Sequence, residues 1–277
     1  MEMLIKNKDT HLFTLAFPKS GRETVILLHG GPGVPHGMTF LVKYLSRYFQ
    51  VIMFHQRGTL KSPNPSHDYS LEGYTSDINR IAELFQLEKF HLFGHSWGGL
   101  YAQIYAQENR DRLLSLFLCS PASGTGRQWA ETSLEITRYN RKKSSLPEFV
   151  ALNLNAGLGL LGSDQGYKRF YSQALKNFSR GFRESHSEYF AVECIKAKAI
   201  NQTIKTILIA PLLPIRQDPG CKVTITFGDQ DIIGKTRKYV LERFPAASHY
   251  TIPASGHIPW SHNQPEFVRI LKEHYSF

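Results

Sequence analysis

The chain has 277 residues, 42% of them hydrophobic and 12% aromatic, and carries a net charge of +10. That length fits one large domain, or a core with a modest insertion, and the composition excludes a disordered chain. It holds no run of about 18 apolar residues of the kind a membrane-spanning helix needs.

The basic excess does not read as a nucleic-acid surface. About +6 of the charge falls in residues 122–205, where Lys and Arg are dispersed apart from Arg141-Lys142-Lys143. That run is too short for a membrane patch, so a solvated basic surface is expected, with neither nucleic acid nor membrane as a partner. Cys119, Cys194 and Cys221 are odd in number and read as reduced thiols, and no Cys/His spacing resembles a zinc site. The opening Met1–Lys6 lacks the apolar region of a signal peptide. A cytoplasmic protein without metal or cofactor is the expectation. Oligomeric state is not set by these features.

Residues 1–7 and 11–17 are predicted to form a hairpin around Lys8-Asp9-Thr10. Thr24–Leu28 is an uninterrupted apolar run, as in a strand buried on both faces. The glycine-rich loop His29-Gly30-Gly31-Pro32-Gly33 follows it directly. A helix is predicted over 38–49, a strand over Gln50–Phe54, and an amphipathic helix over Ser70–Leu87. His55 and Arg57 read as structural, Arg57 as an ion-pair partner. Then comes Phe90–Phe93, a short strand, followed by Gly94-His95-Ser96-Trp97-Gly98-Gly99 and a helix over 100–107. Leu113–Cys119 is another strand. Strands alternating with helices every 25–30 residues or so indicate a mostly parallel sheet covered on both faces.

Residues 122–205 break the rhythm. They are helical in pattern, contain the loose stretch Gly157–Gly162, and read as an inserted helical cap between two parts of a core, 1–121 and 206–277. The sheet resumes at Lys222–Phe227 and ends in Gly228-Asp229-Gln230-Asp231. A helix around 235–244, a strand around 249–252, Gly256-His257 and a last helix over 264–275 complete the chain. Gly234-Lys235-Thr236 is rejected as a phosphate loop, because Asp229 stands where its first glycine is required.

Gly94–Gly98 is a G-x-S-x-G elbow in its supporting context of strand, sharp turn and helix. A serine hydroxyl attacks a carbonyl only with a base in reach and a carboxylate orienting that base. On such sheets these arrive in the order Ser, Asp, His from loops at strand ends, an order that Ser96, Asp231 and His257 satisfy. Asp229 competes for the acid role but sits one residue beyond the Gly228 turn, with less reach. His262 is the nearby rival base, and His95 reads as structural. Two N–H donors are needed for an oxyanion. Trp97 supplies one, and Gly31 is the preferred second, with Gly30 as its alternate.

Taken together, His29–Gly33, Gln56-Arg57-Gly58, Gly94–Gly99, Gly228–Asp231 and Gly256-His257 resemble the α/β-hydrolase superfamily, and within it the proline iminopeptidase group. The resemblance spans the core but not the cap. It implies an α/β-hydrolase fold, Ser96 as nucleophile, Asp231 as acid, His257 as base, and oxyanion donors at Gly31 and Trp97. It also implies cap carboxylates that hold a substrate's amino terminus, for which Glu184 and Glu188 beside Tyr189-Phe190 are candidates. Two features depart from the group: His55 stands where an acidic residue is usual, and the cap is net positive. The expected activity is release of amino-terminal residues from small peptides or amides. A carboxylesterase or lactonase is the alternative, and a non-catalytic binding protein on a hydrolase scaffold is a third, disfavoured reading.

Overall fold

In the computed structural model, which describes residues 1–34, 37–183, 188–216 and 218–277, the apolar runs become strands of one sheet. The first two, β1 (Glu2–Asn7) and β2 (Thr10–Phe17), pair antiparallel, with Glu2 opposite Leu15 and Asn7 opposite Thr10. Then come β3 (Thr24–Leu28), β4 (Gln50–Phe54), β5 (Phe90–His95), β6 (Leu113–Cys119), β7 (Lys222–Gly228) and β8 (Ser248–Ile252). The strand order is β1-β2-β4-β3-β5-β6-β7-β8. From β4 to β8 every neighbour is parallel. The hairpin joins this block through β2, which runs antiparallel to β4.

Helices cover both faces. They are α1 (Thr39–Leu45), α2 (Leu71–Leu84) and α3 (Trp97–Glu108), then α4 (Arg127–Lys143), α5 (Leu146–Leu160), α6 (Asp164–Ser179) and α7 (Ala197–Ile209). After β7 follow α8 (Arg237–Arg243), α9 (Pro259–His262) and α10 (Gln264–Tyr275). Alternation along β3 splits the core into two layers. Ile26 and Leu28 pack with residues of α2, α3 and α8, while Val25 and Leu27 pack with α1 and α10. α2 illustrates the local logic. Ser70 accepts the Gly73 N–H as a cap, and Tyr74, Ile78, Ile81 and Ala82 form its buried face.

Among the described residues four α-helices, α4 to α7, intervene between β6 and β7. Two details differ from the sequence expectation. The stretch Gly157–Gly162 is not loose: it is the last turn of α5 and its cap. Its glycine serves helix contact, since a Cβ on Gly159 would stand 2.5 Å from the Tyr167 ring of α6. α7 also runs through the expected 205/206 boundary, because its buried face of Ala199, Ile200 and Thr203 continues to Ile207. The helical segment is fastened to the sheet by carboxylates that accept free N–H groups at helix starts. Glu135 of α4 takes those of Gly234, Lys235 and Thr236 ahead of α8. Among the described residues no helix is long and apolar enough to cross a membrane.

Candidate active site

The carboxyl ends of β5, β7 and β8 bring three side chains together. Ser96 lies between β5 and α3 with φ 56° and ψ −119°, a conformation an L-residue holds only at a cost of about 1–3 kcal/mol. The surroundings impose it. A Cβ on Gly98 would come within 2.2 Å of the Leu28 carbonyl, so α3 starts pressed against the end of β3. The turn that results leaves Ser96 half-buried at the sheet edge.

His257, in the loop after β8, places Nε2 2.9 Å from Ser96 Oγ and Nδ1 2.9 Å from Asp231 Oδ1. A carboxylate only accepts, so Nδ1 carries the imidazole proton and Nε2 is left as acceptor toward the serine hydroxyl. Asp231 is held firmly. Its Oδ2 accepts the Ser120 hydroxyl at 2.6 Å, and its Oδ1 also accepts the Ile233 N–H at 3.1 Å. Burial alone would push this carboxyl up. Electrostatic attraction to the His257 ring and its hydrogen bond, with the Ser120 and Ile233 bonds, outweigh it and hold Asp231 below the usual carboxylate range.

The rivals have other work. Asp229 accepts the N–H groups of Ala254 and Ser255 at 3.0 Å each, tying the loop after β7 to the one after β8. His262 Nδ1 accepts the Gly256 N–H at 3.0 Å. His95 donates from Nε2 to the His257 carbonyl at 2.8 Å. Burial, followed by repulsion from His257, pushes its pKa down to about 3, so the ring stays neutral.

The glycine-rich loop passes beside the serine. A Cβ on Gly30 would lie 3.3 Å from Ser96 Cβ, and Gly31 has φ +131°. Both line the cavity that Ser96 opens into. Trp97 is the first residue of α3, so its N–H belongs to the first turn, which has no intrahelical acceptor. One side chain joins these two segments. Gln56 donates to the His29 carbonyl at 2.9 Å and accepts the Trp97 indole N–H at 2.8 Å. Neither Gln56 nor Ser120 is marked by the G-x-S-x-G elbow or by the Ser, Asp, His order; each lies just beyond the carboxyl end of a strand, β4 and β6 respectively.

Of the two expected amine-binding carboxylates, Glu184 lies outside the described residues. Glu188 accepts the Thr39 and Phe40 N–H groups at the start of α1, at 3.0 and 2.9 Å. It borders a cavity of about 530 Å³ that shares Leu175, Phe190 and Ile258 with the cavity over Ser96. The cavity over Ser96 is about 630 Å³, and its walls from α4 to α7 are mainly apolar, with Trp129, Leu152, Phe170, Tyr171, Phe178 and Ile204 among them. Among the described residues, the polar groups on those walls are uncharged, Asn140 and Thr137 for example. Among the described residues no cluster of three or more His, Cys, Asp or Glu is placed to hold a metal ion.

A family model of the alpha/beta hydrolase fold matches residues 23–260. The chain therefore belongs to the α/β-hydrolase family. The proline iminopeptidase of Lactobacillus delbrueckii subsp. lactis is 27% identical over 124 residues, which cover 43% of this chain and 42% of that protein. The chain thus matches less than half the length of this curated relative. Two solved structures share the fold. The proline iminopeptidase of Mycobacterium smegmatis has a TM-score of 0.67 at 16% identity, over 99% of this chain and 97% of that one. The esterase EaEST from Exiguobacterium antarcticum has a TM-score of 0.67 at 16% identity, over 100% of both chains.

Proposed function

We propose that the protein is a serine hydrolase working through an acyl-enzyme, and that it acts on small carboxylic esters with an apolar acyl group. The observation that carries this reading is the run of contacts from Asp231 through His257 to Ser96, opening into an apolar cavity. Ser96 Oγ attacks the carbonyl carbon while its proton passes to His257 Nε2. Asp231 stays ionised and stabilises the imidazolium through the Nδ1–H bond. The N–H groups of Gly31 and Trp97 receive the charge that develops on the carbonyl oxygen. Collapse breaks the ester C–O bond, and His257 returns its proton to the leaving alcohol. Water, deprotonated by His257, then attacks the acyl carbonyl carbon; the bond from that carbon to Ser96 Oγ breaks, His257 returns the proton to Oγ, and the acid is released.

In this reading α4 to α7 form a cap that sorts substrates. Its walls recognise apolar bulk, and each buried methylene of an acyl chain contributes about 0.8 kcal/mol. The likeness to proline iminopeptidases favours a second reading, release of amino-terminal residues, which needs a carboxylate facing the amine. Glu188 is instead committed to the Thr39 and Phe40 N–H groups. For this reason the ester branch ranks first and the peptidase branch second.

A matched panel of p-nitrophenyl esters of increasing acyl length, with prolyl and alanyl arylamides, tests the order. Turnover of esters that improves with chain length and is lost in Ser96→Ala is expected. Arylamide turnover above ester turnover, with a KM for the arylamide that rises selectively in Glu188→Gln, would reverse it.

A further inference from the structure

We propose that the outward face of α5 docks on an anionic lipid membrane. Leu146, Val150, Leu154, Leu158 and the capping Leu161 follow one another at helical spacing along one side of this helix, each 48–88% exposed. A surface helix ordinarily turns polar residues outward. α5 has one charged residue, Glu148, and that carboxylate is occupied by the Ser145 N–H and Arg180. The opposite side of the helix is not free either, since Leu152 and Ala156 line the cavity over Ser96. A contiguous apolar stripe left in water marks an interaction surface.

The charge around the stripe identifies what covers it. Arg141 and Lys142 are exposed and end α4 just before α5 begins, with the Arg141 guanidinium 5.5 Å over the Phe149 ring. Lys143 donates to the Arg180 carbonyl at the same end. Among the described residues, Glu148 is the one carboxylate that forms an ion pair with any of these four cations. Two copies meeting stripe to stripe with α5 parallel would bring the cations together, and no arrangement of leucine stripes gives them anionic partners along the contact, whereas an anionic lipid surface accommodates both leucines and cations. Arg141-Lys142-Lys143 is too short to hold a membrane by itself; the apolar stripe supplies the remainder.

The stripe also leads to the site. Leu134, Leu160 and Leu208 are exposed and line the cavity at once, so its rim is apolar and meets the stripe through Leu160. Membrane docking stands on α5 and its cations. Delivery of an ester from the lipid to Ser96 rests on the hydrolase reading above.

Co-sedimentation of the full chain carrying Ser96→Ala, which removes turnover, tests the docking against phosphatidylcholine vesicles with and without phosphatidylserine. Binding is expected to the phosphatidylserine vesicles, weaker with rising salt and about tenfold weaker when Leu154→Asp and Leu158→Asp are added. Neither leucine lines the cavity, so with Ser96 intact this double variant keeps its turnover of p-nitrophenyl acetate and an unchanged thermal melt. Absence of vesicle binding, or equal binding by the double variant, would overturn the proposal. So would a dimer that the double variant converts to monomer without any vesicle binding. Vesicle binding without ester hydrolysis by the wild type would sustain docking and sink the ester reading alone.

Discussion

Gln56 accepts the Trp97 indole N–H at 2.8 Å and donates to the His29 carbonyl at 2.9 Å, so one amide links the two segments assigned to the oxyanion. A glutamine fits because it offers one acceptor and one donor from the same planar group. Replacing Gln56 by Met removes both bonds at similar length. The expected result is a fall in kcat of about tenfold or more with KM little changed, since the affected charge appears only in the transition state. Steady-state kinetics on an ester check it. A rise in KM at constant kcat would contradict the positioning role.

The two aspartates of the β7 loop should separate cleanly. Asp231→Asn leaves His257 Nδ1 facing a group that need not accept, and kcat is expected to fall by about 10⁴-fold. Asp229→Asn weakens the bonds to Ala254 and Ser255 and should act mainly on stability, by about 1–2 kcal/mol. Paired measurements of kcat and urea midpoint distinguish the two. Equal losses of kcat in both variants would count against Asp231 as the acid.

Acid should destabilise the fold through buried histidines. Burial pushes His95 down to about 3 and, with repulsion from Lys222 and His91, does the same to His274. Between the ordinary value of 6.5 and about 3, the unfolded chain protonates both rings and the folded chain neither. Unfolding therefore takes up protons, and stability falls as pH falls, by up to about 3 kcal/mol per pH unit inside that window. Urea midpoints measured from neutral pH downward check the slope, which should flatten in His274→Gln. A pH-independent midpoint would refute it.

Arg57 anchors the turn after β4 to α2. Its Nε and Nη2 each stand 2.8 Å from Asp77 oxygens, both residues are buried, and Asn7 donates to the same carboxylate at 2.8 Å. Asp77→Ala leaves the guanidinium buried and partly unpaired, at an expected cost of about 3–5 kcal/mol. The pair Arg57→Met with Asp77→Leu should recover most of that loss, because it removes both charges. Chemical unfolding of the three proteins provides the comparison. A double variant no more stable than Asp77→Ala would contradict this.

What could be read from the sequence follows the range of each interaction. The strands were legible because buried parallel strands appear as short apolar runs such as Thr24–Leu28 and Leu113–Cys119. The elbow was legible because Ser96 needs Gly98 two residues away. His257 and Asp231 were reachable by order along the chain, since each lies at the end of a strand. Distant partners that no motif or chain order marks were not legible. Ser120 meets Asp231 across 111 residues, and Glu135 meets Thr236 across 101. Glu188 shows the limit most plainly, because a carboxylate beside two aromatics reads alike whether it faces a ligand or the start of α1. The stripe on α5 was hidden too: apolar spacing at helical period marks a face but does not say which way it points.

The most direct test of the central claim is intact-mass and peptide mass spectrometry after reaction with a fluorophosphonate. One phosphonyl group should add to the wild-type chain on the peptide carrying Ser96, at a rate slowed by an apolar ester and abolished in Ser96→Ala. Labelling that persists in Ser96→Ala, or a wild-type chain that takes up no label while folded, would contradict Ser96 as the nucleophile.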